Sequence, residues 1–317
     1  MMTHSIPDAV LIAGPTASGK SSLALRIAQM VDGVIVNADS MQIYDGLQIL
    51  SARPFEEEMS GVEHRLYGYV DPGERFSVGR WLDDAVAQIK DIRTSGRCPI
   101  LVGGTGLYFK ALLQGLNDMP DVPAEIREYW KVEQERLGEA EALHELLTER
   151  DPDMAAILKP GDTQRILRAL EIYDATGKSL LYWQAQSAMR HDVNVVQDAW
   201  RLVLCPPREV VYKKIEDRFD QMVELGGIDE ANHMCALGID PILPAMKAIG
   251  VEHLSNHSKG KMTLDEAITL CKRDTRRYAK RQMTWIRNQM GDWPVFETAN
   301  AAFAHFEARM QQNRRGN

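Results

Sequence analysis

The chain is expected to adopt an α/β fold: a parallel sheet of the P-loop NTPase-like kind, interrupted by an all-helical insertion. Three observations carry that reading. Gly14-Pro15-Thr16-Ala17-Ser18-Gly19-Lys20-Ser21 has the form G-x-x-x-x-G-K-[ST], with an apolar run over 9–13 before it and a helical pattern over 22–28 after it. Strand, glycine loop and helix start together are the setting of a phosphate-binding loop. Short apolar runs also alternate with helix-period segments on both sides of the chain's middle third, as βαβ units do. The middle third itself holds helical patterns alone. Residues 1–117 and 195–317 are therefore assigned to the core, the latter with a basic carboxyl-terminal helix, and 118–194 to a helical insertion domain.

In order, the apolar run 34–39 reads as a second buried strand that ends on Asp39. Residues 45–75 are weakly periodic, with turn signals at Arg53-Pro54 and Asp71-Pro72-Gly73. Val78, Trp81, Leu82, Ala85, Val86 and Ile89 recur at helical spacing. Ile100-Leu101-Val102 then runs into Gly103-Gly104-Thr105-Gly106, a third strand ending in a permissive loop. Beyond Asp118-Met119-Pro120 the pattern predicts helices over 124–137, 139–150, 153–158 and 163–176, broken at Gly138, Pro152, Pro160-Gly161 and Gly177, and no strand. The sheet resumes over 200–205. A long helix follows over 209–225, stopped by Gly226-Gly227, and a further pair of helices leads to the last long one, 264–287.

At 317 residues the chain can bury a substantial core, and its 44% hydrophobic and 26% charged content is that of an ordinary soluble protein. The net charge of −8 excludes a global attraction to nucleic acid, so such a role needs a local basic patch. Cys98, Cys205, Cys235 and Cys271 form no C-x-x-C pair and read as small buried hydrophobes in a reducing compartment. The first residues lack a basic n-region, and their apolar run is too short for a signal peptide or membrane span. A cytoplasmic monomer without membrane contact is expected.

The phosphate loop supplies inward N–H groups and a helix N-terminus for an anion. Lys20 can reach a terminal phosphate, and the Ser21 hydroxyl can hold Mg2+. Asp39, at the carboxyl end of a strand, points toward the crevice where open α/β sheets bind ligands, though an Asp-Ser pair is also common helix-cap chemistry. Between Lys272 and Arg287 seven cations face a single acid, Asp274, and Arg273, Arg277, Lys280 and Arg287 share one helical face near Trp285. That one-sided charge in an acidic chain points to phosphate contact rather than a merely solvated face. Gln164, Arg165 and Arg168 form a second polar group. Arg168 and Glu171 could be an i,i+3 ion pair, or the arginines could clamp an anion.

Several motifs in one order give the chain its resemblance to the tRNA dimethylallyltransferases (tRNA isopentenyltransferases), over most of its length. They are the phosphate loop; Asp39-Ser40-Met41-Gln42-Ile43-Tyr44; Leu101-Val102-Gly103-Gly104-Thr105 with Leu107-Tyr108; and Gln164-Arg165 through Glu171. Ile215-Glu216-Asp217-Arg218-Phe219, Ala248-Ile249-Gly250, Thr275-Arg276, and Lys280-Arg281-Gln282 with Thr284-Trp285 complete the set. Three places depart from the family pattern: Val251 where a tyrosine is usual, Leu50-Ser51-Ala52 for Gly-Thr/Ser-Ala, and Tyr67-Gly68 for Ile/Leu-Asp.

The resemblance implies transfer of a dimethylallyl group from dimethylallyl diphosphate to the exocyclic amine of the adenine just 3′ of the anticodon. The partners would be the tRNA anticodon stem-loop and the diphosphate, with Mg2+ on Ser21. The diphosphate would lie on the phosphate loop, Gly14 to Ser21. Asp39 would take the amine proton, Arg218 would neutralise the departing pyrophosphate, and Thr105 would lie close to the RNA. Implied tRNA contacts are Asp39, Ser40, Met41, Gln42, Thr105, Arg127, Gln164, Arg165, Ile166, Leu167 and Arg168. Lys247, Ala248, Ile249, Gly250, Val251 and Glu252 are implied as well, and Arg273, Arg277 and Lys280 join them from the charge pattern. A small-molecule kinase would use the same loop, strand-end aspartate and arginines, but has no need of the basic helix. A nucleotide-switched RNA-binding protein would leave Asp39 without a task.

Overall fold

The computed structural model describes residues 7–138, 140–186, 189–190 and 193–316. In chain order the elements are β1 (Val10–Ala13), α1 (Lys20–Val31), β2 (Gly33–Asn37), β3 (His64–Arg65), α2 (Val78–Thr94), β4 (Cys98–Gly103) and α3 (Gly106–Gln114). Then come β5 (Leu116–Asn117), α4 (Ala124–Leu137), α5 (Ala140–Arg150), α6 (Pro152–Ala155), α7 (Thr163–Thr176), α8 (Leu180–Ala185) and β6 (Met189–Arg190). The chain closes with β7 (Trp200–Leu204), α9 (Arg208–Glu224), α10 (Gly227–Ala236), α11 (Val251–Ser258), α12 (Leu264–Gln289), β8 (Val295–Phe296) and α13 (Ala299–Gly316). These elements fall into two compact units, one of residues 1–113 with 193–317 and the other of 114–192.

The first unit is built on a six-stranded parallel sheet in the order β3-β2-β4-β1-β7-β8. All four residues of β1 are buried, which is why this strand reads as an uninterrupted apolar run instead of alternating. Ala13 pairs with both Gly103 and Val203. That register brings the phosphate loop after β1 and the Gly-Gly-Thr loop after β4 to the same carboxyl edge, where α/β sheets bind ligands. Leu23 and Ile27 of α1 pack with Ala302, Phe306 and Met310 of α13 and with Trp200 in one core. A second core joins Ile43, Tyr44 and Leu47 to Phe219, Met234, Leu254 and Cys271. α12 starts at a capping box, Thr263 with Glu266, and buries Ala267, Cys271, Ala279, Gln282 and Ile286. That near-heptad stripe fixes which face of the helix is left for its cations.

The second unit packs α4, α5, α6, α7 and α8 around Trp130, Leu143, Leu147, Ile166 and Leu170. The Trp130 indole N–H donates to Asp174 at 3.0 Å, so the ring is buried without an orphan donor. β5 and β6 form an antiparallel pair, Leu116 opposite Arg190.

Four sequence expectations change here. The second strand stops at Asn37, so Asp39 sits in the loop beyond it. The helix expected over 153–158 is only Pro152–Ala155, and residue 139 lies outside the described residues. The insertion is not free of strand, because the β5–β6 pair is too short to show an alternating pattern. The basic helix is not the last, since β8 and α13 follow it. Among the described residues, no helix is long and apolar enough to cross a membrane.

Candidate active site

The phosphate loop takes its shape from two left-handed residues, Ala17 at φ 60° and Gly19 at φ 98°, and α1 begins directly at Lys20. The helix therefore starts with its free N–H groups against the loop, a ready anion site. Lys20 Nζ donates to the Pro15 carbonyl at 2.7 Å, and Thr16 N–H donates to Gln282 Oε1 at 2.8 Å.

Asp39 is held by Asn37, a fully buried side chain. Asn37 Nδ2 donates to the Asp39 and Leu66 carbonyls at 2.9 and 3.1 Å, and Asn37 Oδ1 accepts the Asp39 N–H at 2.9 Å. One Asp39 carboxylate oxygen accepts the Met41 N–H at 3.0 Å, an Asx-type turn. Burial pushes the Asp39 carboxyl above its ordinary range, partly offset by the Met41 N–H, Lys20 and the Gln42 N–H. Burial also lowers Lys20 to about 8, against the opposing pull of Asp39 and with a further push down from Arg218. Arg218 is lowered by burial as well, with Glu58 opposing. Three partly buried charges, each displaced first by desolvation, are what a functional cleft looks like.

Two cavities meet at these groups. One of about 600 Å³ is lined by Thr16, Ala17, Ser18, Gly19, Lys20 and Ser21 together with Asp39, Gln42, His64, Tyr67 and Arg218. The other, about 240 Å³, is lined by Ser40, Met41, Leu50, Phe219, Met222, Lys247, Ala248, Ile249, Tyr278 and Arg281, and shares Thr16, Ala17, Asp39 and Arg218 with the first. Their shared wall, the loop at 48–52, is fixed from α10, where Glu230 accepts the N–H groups of Gln48, Ile49 and Leu50 at 3.0, 2.7 and 2.8 Å. Gln42 donates to the Ser51 and Ala52 carbonyls, both at 3.0 Å.

Thr105 lines neither cavity. Its hydroxyl oxygen accepts the Ser40 N–H at 3.0 Å and lies 3.3 Å from Ser40 Oγ, so it braces the turn that carries Asp39. The loop it belongs to is packed with no spare room. A Cβ on Gly103 would lie 1.9 Å from the Ala38 carbonyl oxygen, and one on Gly104 would lie 2.1 Å from Gln282 Nε2.

Other expected contacts separate into two groups. Lys247, Ala248 and Ile249 line the smaller cavity, and Glu252 is exposed beside them in sequence. On α12, Arg277, Lys280 and Arg281 line a shallow depression of about 520 Å³ with Thr284, Trp285, Asn288 and Gln289. Arg273 is engaged by Asp274 at 2.9 Å, and Arg277 lies 3.6 Å from the same acid. In the second unit, Arg127 lies on α4 and Gln164, Arg165, Leu167 and Arg168 on α7. Arg165 pairs with Asp162 at 3.2 Å and Arg168 with Glu171 at 3.4 Å, so the ion-pair reading of Arg168 holds while its guanidinium stays partly open. Two residues expected to contact tRNA turn their side chains into the hydrophobic cores. Ile166 and Val251 are 0% and 1% exposed, so their side chains are taken up by packing. Gly250 is buried too, at φ 110° with Leu50 packed against it.

Several residues of the site were given no role in it by the sequence, although Tyr108, Arg281 and Gln282 stand in the motifs. Tyr67, Tyr108 and Tyr278 all have phenols raised first by burial and then by Asp39, so three aromatic hydroxyls lie in the field of that carboxylate. Arg281 lines both the smaller cavity and the basic depression. Helical spacing alone could have placed Tyr278 and Gln282 on the inner face, one turn apart; nothing local marks Tyr67.

Comparison with known proteins places this geometry. The family model described as IPP transferase matches residues 42–289, and that described as isopentenyl transferase matches residues 7–75. The chain is 49% identical over 285 residues to the tRNA dimethylallyltransferase of Agrobacterium fabrum, covering 90% of this chain and 95% of that protein. It is 50% identical over 289 residues to that of Mesorhizobium japonicum, covering 91% and 89%. Among solved structures, the full-length tRNA isopentenylpyrophosphate transferase of Bacillus halodurans superposes with a TM-score of 0.67 at 35% identity, over 97% of this chain and 98% of that one. A eukaryotic dimethylallyltransferase acting on tRNA superposes with a TM-score of 0.73 at 27% identity, over 92% and 73%.

Proposed function

The chain belongs to the IPP transferase family, and from that premise we propose that it is a tRNA dimethylallyltransferase that prenylates the exocyclic N6 amine of the adenine 3′ of the anticodon. The donor is dimethylallyl diphosphate and the second product is diphosphate. The observation that carries the reading is the sharing of Asp39 and Arg218 between two cavities, one of them floored by the phosphate loop. A diphosphate on that floor lies against Lys20 and the start of α1. An adenine entering the smaller cavity then meets Asp39 from the other side.

In the reaction the N6 nitrogen forms a bond to the allylic carbon as the carbon–oxygen bond to diphosphate breaks. The amine proton passes to Asp39, whose raised proton affinity suits a general base better than an ordinary exposed carboxylate. Lys20 and Arg218 gain most from the developing charge. Each is a partly buried cation destabilised by desolvation, so negative charge on the leaving oxygens restores what burial removed. Thr105 and Asn37 keep the Asp39 turn in place. Reaching a buried carboxylate requires the base to leave its stack, as base-modifying enzymes require.

The Ser21 hydroxyl, at the start of α1 in the larger cavity, would hold magnesium. Among the described residues no three acidic, histidine or cysteine side chains cluster as a metal site. That suits an ion bound chiefly through phosphate oxygens and water. When bound it supplies charge neutralisation at the diphosphate.

For RNA attachment, the depression on α12 offers Arg277, Lys280 and Arg281 beside Trp285, a pairing of phosphate-binding cations with a stacking surface. Arg127, Gln164, Arg165, Leu167 and Arg168 of the second unit would add contacts of their own. The deciding experiment incubates the protein with tRNA and labelled dimethylallyl diphosphate without nucleoside triphosphate. Label entering the RNA is the expected result. A requirement for ATP, with a small acceptor phosphorylated instead, would restore the kinase alternative.

A further inference from the structure

We propose that Gln282 is a positioning residue that holds the phosphate loop at a fixed distance from the Asp39 turn, so that donor affinity and turnover both depend on its amide. The proposal rests on the transferase reading above and gives the inner face of α12 a task distinct from RNA attachment on its outer face. Gln282 is 6% exposed. Its Oε1 accepts the Thr16 N–H at 2.8 Å, and its Nε2 donates to the Gly104 carbonyl at 3.0 Å. Thr16 is part of the loop that would receive the diphosphate. Gly104 immediately precedes Thr105, whose hydroxyl accepts the Ser40 N–H next to Asp39. One side chain thus ties the leaving-group end of the reaction to the base end.

The chemistry of the tie is specific. Thr16 presents a donor and Gly104 an acceptor, and a primary amide is the neutral group that answers both at once. An apolar replacement would leave a partly buried N–H and a partly buried C=O without the partners that this amide gives them. Packing adds a second constraint, because a Cβ on Gly104 would lie 2.1 Å from Gln282 Nε2. The loop after β4 is therefore seated directly on this amide. Tyr278, one turn before Gln282, feels both Thr105 and Gln282 at its phenol, so the same helix face reaches the brace of the Asp39 turn twice. Displacement between a bound diphosphate and a bound amine needs the reacting atoms held about 3–3.5 Å apart, and an error of about 1 Å can cost roughly 100-fold in rate.

The test is Gln282→Met, which preserves volume and removes both hydrogen bonds. Steady-state kinetics are measured in each substrate, and pyrophosphate affinity is measured by calorimetry, independently of turnover. Donor KM and pyrophosphate Kd should rise about five- to twentyfold, and kcat should fall about 10- to 100-fold. The KM for tRNA and its salt dependence should stay within about twofold, since no outer-face cation is changed. A residue that merely stabilised the fold would lower Tm and the active fraction while leaving both KM values and pyrophosphate affinity in place. That pattern, or an unchanged donor KM in well-folded protein, overturns the proposal. Should the Met variant not fold, Gln282→Glu keeps the acceptor for Thr16 and sets a second acceptor against the Gly104 carbonyl, and the same split is expected. Failure of the wild-type protein to transfer label would overturn the transferase reading, whereas the calorimetric shift would still decide the role of Gln282.

Discussion

Two sets of charges in the same unit invite comparison: Lys20, Asp39 and Arg218 in the cavities, and Arg277, Lys280 and Arg287 on the outer face of α12. The first set is desolvated, and every member is displaced from its ordinary protonation range or held there against burial. The second is exposed. Buried charges act through specific neighbours and through whatever charge a ligand brings, whereas exposed ones act through their sum and through salt. The first set should therefore control chemistry and the second attachment, and experiments that remove one set at a time separate them.

The largest effect is expected from Asp39→Asn. The amide can still accept the Met41 N–H but cannot take a proton, so kcat should fall about two to four orders of magnitude. Binding of tRNA should be unchanged and Tm unchanged or higher, because a buried charge has been removed. In the wild-type enzyme the acid limb of the kcat profile should lie above the ordinary carboxylate range. The base must be ionised, so rate is lost as pH falls through its raised pKa. Retention of near-normal turnover by the Asn variant would leave Asp39 as a turn residue only.

Lys20 comes next. On the proposed reading it would bind a diphosphate as the ammonium ion, and burial has lowered its pKa to about 8. Pyrophosphate affinity should therefore weaken as pH rises through about 8, since the neutral amine then predominates in the free protein. Lys20→Ala should weaken pyrophosphate binding about 10- to 100-fold, the usual scale for a charge-assisted contact. It should also abolish that pH dependence. Calorimetry at several pH values checks both; a flat profile in the wild type would deny Lys20 a phosphate role.

On the outer face, Arg277→Gln with Lys280→Gln should raise the tRNA KM severalfold and flatten the salt slope by about one to two log units per decade. kcat at saturating tRNA and the donor KM should stay put. Stability should move by less than about 0.5 kcal/mol, as for most surface substitutions. An unchanged salt slope would shift RNA attachment to the second unit. The smallest effect is expected there: Arg168→Gln breaks a 3.4 Å pair with Glu171 worth only about 0.2–0.5 kcal/mol. Its signature in filter binding would be a salt slope reduced by about one unit without a change in kcat.

Much of this architecture was legible before the structure. The phosphate loop is local, so its residues, its strand and its helix announce themselves within a dozen positions. The apolar run of β1 and the helical spacing of α2 are equally local. What escaped is either short or remote. β3 and β8 have two residues each and no periodicity to detect. α13 could have been found, because Ala302, Phe306 and Met310 recur every four residues, but nothing in its sequence says that it packs on α1. The Asp39 site was visible as a strand end and became convincing only through resemblance. Its supports were not visible. Glu230 capping the loop at 48–50 lies more than 170 positions away in sequence, and Gln282 at Thr16 is 266 positions away. Such contacts are set by tertiary packing, and the amino acids involved carry no local mark of them.

The two adjacent glycines of the β4 loop imply different histories. Gly103 is pressed against the Ala38 carbonyl, a piece of main chain that every descendant shares, so no exchange elsewhere can open space for a larger residue. Gly104 is pressed first against the Gln282 side chain, which mutation can shorten, with the Gly14 carbonyl oxygen next at 3.3 Å. Lineages should therefore keep Gly103 without exception, while Gly104 and Gln282 should drift only as a pair. A library randomising both codons together would recover folded combinations that neither single library contains, each with the weakened donor binding expected of a missing Gln282 amide.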